Sequence, residues 1–194
     1  MPVITLTSDW GYKDHYLASV KGSLLKQFPE ARIVDISHDI TPFNLKEAAY
    51  VLRNAYPYFP EGSIHILGLD TEESDDHPHV VLKKDGHFFI GADNGVFSLI
   101  FSDAPDDCRE LNIIQDSDYF TFSTRDRFVK AAVHLAKGGP MDKLGSEHNG
   151  LLQRSHFKPV IESDAIKGIV TYIDHYENVI TNITKEVFEK ERKG

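Results

Sequence analysis

Short apolar segments alternate with longer amphipathic segments over about the first third of the chain. Residues 3–7, 32–36 and 63–69 have the length and β-branched content of buried strands. Residues 16–28 and 45–55 carry apolar side chains at helical spacing, with a proline closing the first segment and another preceding the second. This order predicts an α/β fold, in which a mainly parallel sheet is flanked by helices.

The middle of the chain changes character. Residues 80–82 and 87–91 flank the turn sequence Lys84-Asp85-Gly86, which is typical of a β-hairpin. Residues 95–101 suit either a short helix or a strand. Residues 127–137 repeat apolar positions at helical spacing and stop at a Gly-Gly-Pro sequence, which predicts a helix.

A second β region follows. Residues 166–173 and 178–183 alternate between apolar and polar side chains, as half-buried strands do. We therefore expect an N-terminal α/β domain over residues 1–155. The beginning of a small C-terminal β domain is expected over residues 156–194, and that domain looks truncated.

Charge and cysteine content exclude several classes of protein. The 194 residues include 21 Lys and Arg against 30 Asp and Glu, a formal charge of -9. This balance argues against a general nucleic-acid or anionic-membrane binder. Cys108 is the single cysteine, so an internal disulfide and a multi-cysteine metal site are excluded. The N-terminal residues do not resemble a signal peptide and no apolar run is long enough to span a bilayer, so a cytoplasmic location is expected.

Two carboxylates follow predicted strands. Asp9 comes after the first strand and Asp70 after the third. Ligands of open parallel sheets bind beyond the carboxyl ends of the strands. A carboxylate there can accept ribose hydroxyls, hold a metal or act as a base. The structural alternatives are a helix N-cap for Asp9 and a turn for Asp70. Two acids at the same edge favour a site.

Histidines raise a metal hypothesis. His77 and His79 lie two apart in the acidic segment TEESDDHPH, and strand alternation would put both rings on one face. No HExxH or comparable spacing is present, so a solvated loop is the favoured interpretation and no metal is expected. The phosphate-binding fingerprints GxxxxGK[ST] and GxGxxG are also absent from the sequence.

Six segments, in order along the chain, resemble one family. They are ITLTSDWGYKDHYLASVKG, IVDISHDITPFNLKEAAYVL, FPEGSIHILGLD, FFIGADNGVFS, TFSTRDRFVKAAVHLAKG and GIVTYIDHYENVITNI. Together they resemble the S-adenosyl-L-methionine hydroxide adenosyltransferases, which are related to the fluorinating and chlorinating enzymes that attack S-adenosylmethionine. The resemblance implies an N-terminal α/β domain, a smaller C-terminal β domain and a homotrimer whose substrate lies between subunits. S-adenosylmethionine is then the substrate or ligand, and no cofactor is implied.

The resemblance also implies roles for particular residues. Asp9 would hold the ribose hydroxyls and Phe43 would pack against the ribose. Asp174 would meet the methionine amino group and Asn178 would meet adenine. These roles suit the side chains, because carboxylates accept from hydroxyl and ammonium groups and an amide both donates to and accepts from a purine edge.

The chain departs from the family at the catalytic set of Asp, Arg and His. Asp70 matches the aspartate, but His77 occupies the arginine position and Ser123 the histidine position. The glycine-rich loop after the aspartate is replaced by DTEESDDH. The halogenating relatives lack the aspartate, so Asp70 argues against a halogenase, because a carboxylate repels an anion. Arg125 is either a cationic helper or an ion-pair partner of Asp126.

The sequence leaves three candidate functions. The first is hydrolysis of S-adenosylmethionine to adenosine and methionine by attack of water or hydroxide at C5′, with Asp70, His77 and Ser123 as the catalytic residues. The second is an adenosyl-binding protein with little or no turnover. The third is a metal-assisted hydrolase, whose metal would be held by a set comprising Asp9, Asp14, Asp70 and His77.

Overall fold

The computed structural model describes residues 1–114, 122–155 and 157–192. Thr121 of the TFSTRD segment and His156, where the second domain was expected to begin, lie outside the described residues. The chain divides into two units, Met1–Gln153 and Arg154–Gly194.

A seven-stranded sheet forms the centre of the first unit. Its strands are β1 (Val3–Ser8), β2 (Arg32–Ser37), β3 (Ile64–Gly68), β4 (His79–Lys84), β5 (His87–Ala92), β6 (Asp107–Leu111) and β7 (Gly145–Glu147). The spatial order is β2-β1-β3-β5-β4-β6-β7. The strands β2, β1, β3 and β5 run parallel, whereas β4 is antiparallel to both of its neighbours and β7 is antiparallel to β6.

Helices cover both faces of this sheet. They are α1 (Tyr16–Gln27), α2 (Leu45–Ala55), α3 (Val96–Ile100) and α4 (Val129–Ala136), with short 3₁₀ turns at Tyr56–Tyr58 and Met141–Lys143 and a π turn at Thr124–Phe128. Helix α2 begins at Asn44, whose side chain accepts a hydrogen bond from the backbone N–H of Glu47 at 3.2 Å. The predicted α/β class, with a mainly parallel sheet flanked by helices, is confirmed.

Strand alternation divides the core between the two faces. In β3, Ile64 and Ile66 belong to the apolar cluster that includes residues of α1 and α4, whereas Leu67 belongs to the cluster with α2 and α3. The same alternation holds in β4, where Val81 lies on the first side and Val80 on the second. Burial on both faces explains why residues 64–67 of β3 and 80–82 of β4 are mainly apolar.

The predicted hairpin is confirmed as β4 and β5. Its turn residues Asp85 and Gly86 have φ angles of 50° and 77°. Both angles are positive, as a two-residue turn that matches the twist of its strands requires, and glycine adopts such an angle without steric cost.

The second unit contains two small antiparallel pairs and a helix. Strand β8 (Val160–Ile161) pairs with β9 (Ile166–Lys167), and β10 (Val170–Ile173) pairs with β11 (Val179–Thr181). Helix α5 spans Lys185–Glu191, and its N-cap Thr184 accepts a hydrogen bond from the Val187 N–H at 3.2 Å. None of the helices in the described residues is both long and apolar enough to cross a membrane.

Two histidines, His65 and His87, are buried in the core on the α2 side of the sheet. His65 is fully buried, with Nδ1 2.7 Å from Thr5 Oγ1 and Nε2 3.1 Å from His87 Nδ1. Its ring lies against Phe89 at a centroid distance of 4.8 Å. Burial, together with the nearby His87, lowers the pKa of His65 to about 3. The ring is therefore neutral in the folded protein at physiological pH.

Acid should destabilise the fold through this histidine. The folded-state pKa of about 3 lies below the ordinary value of 6.5, so the stabilisation is complete above pH 6.5 and is lost as the pH falls toward 3. Each such histidine adds up to about 1.4 kcal/mol per pH unit to the slope of unfolding free energy against pH in this range. Urea unfolding of His65→Gln at about pH 5 to 8 should show a shallower pH slope than the wild type. An unchanged slope in His65→Gln, or an equal change in the exposed control His15→Gln, would contradict this.

Candidate functional site

A cleft of about 480 Å³ lies beyond the carboxyl ends of β1 and β3. Asp9 follows β1 directly, and Asp70 lies two residues beyond the end of β3. We call this the acidic cleft, and its lining residues are Asp9, Trp10, Tyr16, Pro42, Phe43, Gly68, Asp70, Thr71, Glu72 and Phe122. Three of the predicted site residues, Asp9, Phe43 and Asp70, are therefore brought together.

Asp9 fixes the loop that carries Phe43. Its Oδ2 accepts a hydrogen bond from the Phe43 N–H at 2.9 Å. Phe43 has a φ angle of 62°, in the left-handed region that non-glycine residues rarely adopt, and its side chain is 72 % exposed. The helix N-cap interpretation of Asp9 is wrong, because His15 holds that position of α1. One carboxylate thus orders an exposed aromatic residue beside itself.

Asp70 is a turn residue as well as a lining residue. Its φ angle is 45°, again in the left-handed region, and it is exposed. An acid that leaves a buried strand in this conformation turns the chain sharply at the sheet edge. Asp70 therefore turns the chain and also lines the acidic cleft.

Aromatic rings form one wall of the acidic cleft. The Trp10 ring meets Phe122 edge-on at a centroid distance of 5.5 Å, and Tyr16 meets Phe122 in the same way at 5.5 Å. Gly68 makes room for the indole, because a Cβ atom at that position would lie 2.3 Å from Trp10 Cζ2. Sequence reasoning missed these rings, although a tryptophan next to Asp9 and a glycine two residues before Asp70 were available signals.

A polar network supports the turn that carries Asp9. Ser8 Oγ lies 2.6 Å from His38 Nδ1, and both residues are buried. The Nε2 atom of His38 lies 3.1 Å from Asp35 Oδ1, and Lys21 Nζ donates to Asp35 Oδ2 at 2.6 Å. The pKa of His38 is lowered, because the effect of burial outweighs the attraction of Asp35. Burial alone would raise the pKa of Asp35, but Lys21 and His38 outweigh it and the pKa is lowered.

The charge in the acidic cleft is of one sign. Asp9, Asp70 and Glu72 are carboxylates, and none of the described residues that line the cleft is Lys, Arg or His. Carboxylates attract a cation, and aromatic faces add cation–π attraction. The arrangement therefore suits a positively charged ligand and repels an anion.

His77 and Ser123 do not line the acidic cleft. The His77 N–H donates to the backbone carbonyl of Ser74 at 3.0 Å, in a turn before β4. Ser123 follows Phe122 and is buried. The prediction that His77 and His79 share one strand face is wrong, because His77 precedes β4 and His79, its first residue, is fully buried.

Asp174 and Asn178 lie in the second unit, where they hydrogen-bond to each other. Asp174 Oδ2 accepts from Asn178 Nδ2 at 2.7 Å, and Oδ1 accepts from the Asn178 N–H at 2.8 Å and the Tyr176 N–H at 2.9 Å. The hydrogen bond from Asn178 is the main reason why the pKa of Asp174 is lowered. Together they fix the turn between β10 and β11.

Two alternatives are decided by geometry. Arg125 pairs with Asp126, with its Nε 2.6 Å from Oδ1, and this hydrogen bond raises the pKa of Arg125. Within the described ranges, no group of three or more His, Cys, Asp or Glu side chains is arranged to hold a metal ion. The set of Asp9, Asp14, Asp70 and His77 suggested by the sequence is therefore not gathered into a metal site.

Comparison with known proteins agrees with this geometry. A family model described as the SAM hydroxide adenosyltransferase N-terminal domain matches residues 4–145. An (R)-S-adenosyl-L-methionine hydrolase of Methanocaldococcus jannaschii is 31% identical in an alignment that covers 96% of this chain and 68% of the relative. A fluorinase of Nocardia brasiliensis is 25% identical, with 97% of this chain and 73% of the relative covered.

A solved structure shares the fold. The crystal structure of a conserved protein from Thermotoga maritima superposes with a TM-score of 0.88 at 30% identity, covering 97% of this chain and 74% of that one. The match to the family model spans most of the chain. The chain therefore belongs to the SAM hydroxide adenosyltransferase family.

Proposed function

We propose that the chain binds S-adenosylmethionine in the acidic cleft and hydrolyses it to adenosine and methionine. Water attacks C5′ of the ribose, the C5′–O bond forms, and the C5′–S bond breaks with its electron pair passing to sulfur. Methionine leaves as a neutral thioether, and the proton of the attacking water is released. The sulfonium is already a good leaving group, so the protein mainly has to position and desolvate the nucleophile.

The observation that carries this proposal is the charge of the acidic cleft. Asp9, Asp70 and Glu72 line it together with aromatic rings. A sulfonium cation is attracted by both kinds of group. A halide nucleophile would be repelled by the same carboxylates, whereas neutral water would not, which supports hydrolysis over halogenation.

Three of the lining residues have a defined role in this proposal. Asp9 accepts the ribose hydroxyls, and the exposed Phe43, whose loop Asp9 already holds, packs against the ribose. Asp70 orients the water and takes its proton. In the homotrimer that the family resemblance implies, Asp174 of a neighbouring subunit would receive the methionine ammonium and Asn178 of that subunit the adenine edge.

The positions and residue types of His77 and Ser123 favour a second candidate function, which is binding of S-adenosylmethionine with little turnover. Neither side chain lines the acidic cleft, so neither adds a positive charge there. An arginine beside the catalytic acid would stay charged at all working pH values, whereas a histidine is mostly neutral near pH 7. We therefore expect slow hydrolysis, about 100- to 1000-fold below relatives that keep the arginine and histidine.

Replacing Asp9 should weaken ligand binding. Asp9→Ala removes charge-assisted hydrogen bonds to the ribose, which costs about 2–4 kcal/mol, or roughly 30- to 1000-fold in Kd. Asp9→Asn keeps an acceptor for the Phe43 N–H and should lose less. Calorimetric titration with S-adenosylmethionine measures both variants, with the exposed Asp14→Ala as control. Equal affinity in Asp9→Ala and the wild type would remove this role from Asp9.

Isotope labelling tests the reaction itself. In water enriched in oxygen-18, hydrolysis at C5′ puts the label in the 5′-hydroxyl of adenosine, which mass spectrometry detects. Asp70→Asn should abolish label incorporation, because it removes the group that takes the proton of the water. S-adenosylmethionine should still bind, with its Kd raised by about tenfold at most through the loss of one attracting carboxylate. Tight binding without any adenosine would establish the second candidate. Unlabelled adenosine would exclude attack by solvent water.

We also infer a homotrimer, because the resemblance implies a substrate site shared between subunits. Light scattering at micromolar concentration should give three times the 21.9 kDa mass of one chain. A monomer mass with full S-adenosylmethionine hydrolysis would overturn the trimer and leave the reaction intact.

A further inference from the structure

Three consecutive backbone carbonyls around Asp70 are held by two buried side chains. Asn94 Nδ2 donates to the carbonyls of Leu69 and Asp70, each at 3.2 Å. The Nε2 atom of His79 lies 3.0 Å from the Thr71 carbonyl. Asn94 and His79 are both fully buried. We call these contacts the carbonyl clamp.

The orientation of Asn94 is fixed by its other end. Its Oδ1 accepts the backbone N–H of Val96 at 3.1 Å, at the start of α3. Since an amide oxygen cannot donate, the NH₂ group must face the two carbonyls. Asn94 thereby joins the end of β5 and the start of α3 to the turn that carries Asp70.

The tautomer of His79 follows from its neighbours in the same way. A nitrogen that faces a carbonyl must carry the proton, so Nε2 is protonated and donates to Thr71. The Nδ1 atom then presents a lone pair. Arg127 Nη1 lies 3.4 Å from Nδ1, and Glu73 Oε1 lies 3.6 Å from it. Arg127 is also ion-paired with Glu73 of the same loop. Burial, the largest influence, lowers the pKa of His79, which is consistent with a neutral ring.

The loop needs such support because its own sequence does not supply it. Asp70 has a φ angle of 45°, which aspartate tolerates better than most residues but which is still less favourable than for glycine. The segment DTEESDDH after β3 contains no glycine that would adopt a turn without cost. Hydrogen bonds to three carbonyls in a row therefore hold the backbone from which the Asp70 side chain extends.

We propose that Asn94 and His79 are positioning residues, which hold the Leu69–Asp70–Thr71 backbone so that the Asp70 carboxylate faces the acidic cleft. Arg127 supports them by orienting His79. This inference rests on the proposed function, in which Asp70 orients the attacking water. Neither residue lines the acidic cleft, so their loss should slow the chemical step and leave binding at Asp9 intact.

Matched variants separate positioning from stability. His79→Leu removes the donor to Thr71, whereas His79→Gln keeps a nitrogen donor near the position of Nε2. Asn94→Asp preserves shape but replaces the donor of both carbonyl contacts by an acceptor. Val81→Ala is the control, because Val81 is a fully buried residue of the same strand as His79 and lies in the core cluster of α1 and α4.

Steady-state kinetics with S-adenosylmethionine and the full chain give the expected pattern. His79→Leu and Asn94→Asp should lower kcat by roughly 10- to 100-fold, with KM within about twofold, because misplacing a catalytic group by about 1 Å has such an effect. His79→Gln should restore most of kcat, and Val81→Ala should keep the wild-type kcat despite its lower stability. Equal losses in His79→Leu, His79→Gln and Val81→Ala would overturn the proposal.

A second readout does not depend on turnover. Amide hydrogen exchange at residues 70–73 of the ligand-free protein should accelerate in His79→Leu and Asn94→Asp, and not in His79→Gln or Val81→Ala. If the wild type forms no adenosine, the proposed function fails, and the exchange comparison alone decides whether the carbonyl clamp holds this loop. Unchanged exchange in both donor-removing variants would overturn the positioning role.

Discussion

The register between β1 and β3 is the constraint on which the site depends. The two strands run parallel, with Ser8 opposite Gly68. Asp9 and Asp70, which leave these strands at the same edge, are therefore delivered to one cleft. A shift of one residue would turn every side chain of one strand to the other face, so the buried cores on both sides enforce the alignment. Packing in the sheet interior thus fixes the distance between two acids at its rim.

The acids are held by different means on the two strands. Asp9 follows Ser8, whose side chain contacts His38 beside the ion pair of Asp35 and Lys21, and its own carboxylate holds the Phe43 loop. Asp70 is held through its backbone by side chains that lie beneath it. Asp9 thus holds a neighbouring loop, whereas the backbone of Asp70 is held by neighbouring side chains. This difference agrees with a binding role for Asp9 and a reactive role for Asp70.

Sequence patterns predicted the sheet and the positions of Asp9 and Asp70, but not the aromatic residues that line the acidic cleft. The alternation of strands and helices, the Asp85-Gly86 hairpin and the placement of Asp9 and Asp70 follow from local rules of periodicity and turn chemistry. The contacts of Trp10 with Gly68 and of His79 with Thr71 are tertiary, because they join segments from different strands. No local pattern encodes them. For the same reason, the short strand β6 and the burial of His79 were not predicted, whereas the pairing of Arg125 with Asp126, adjacent in sequence, was among the alternatives.

The close approach of Trp10 to Gly68 has a practical consequence. Trp10 is the single tryptophan of the sequence, and it lines the acidic cleft. Its ring packs against the backbone of β3, where a methyl group would collide, and it lies nearly parallel to the ring of His38 at a centroid distance of 6.4 Å. Fluorescence excited selectively in the indole band therefore comes from the cleft itself. The protein carries a built-in optical probe at the point where its ligand is expected to arrive.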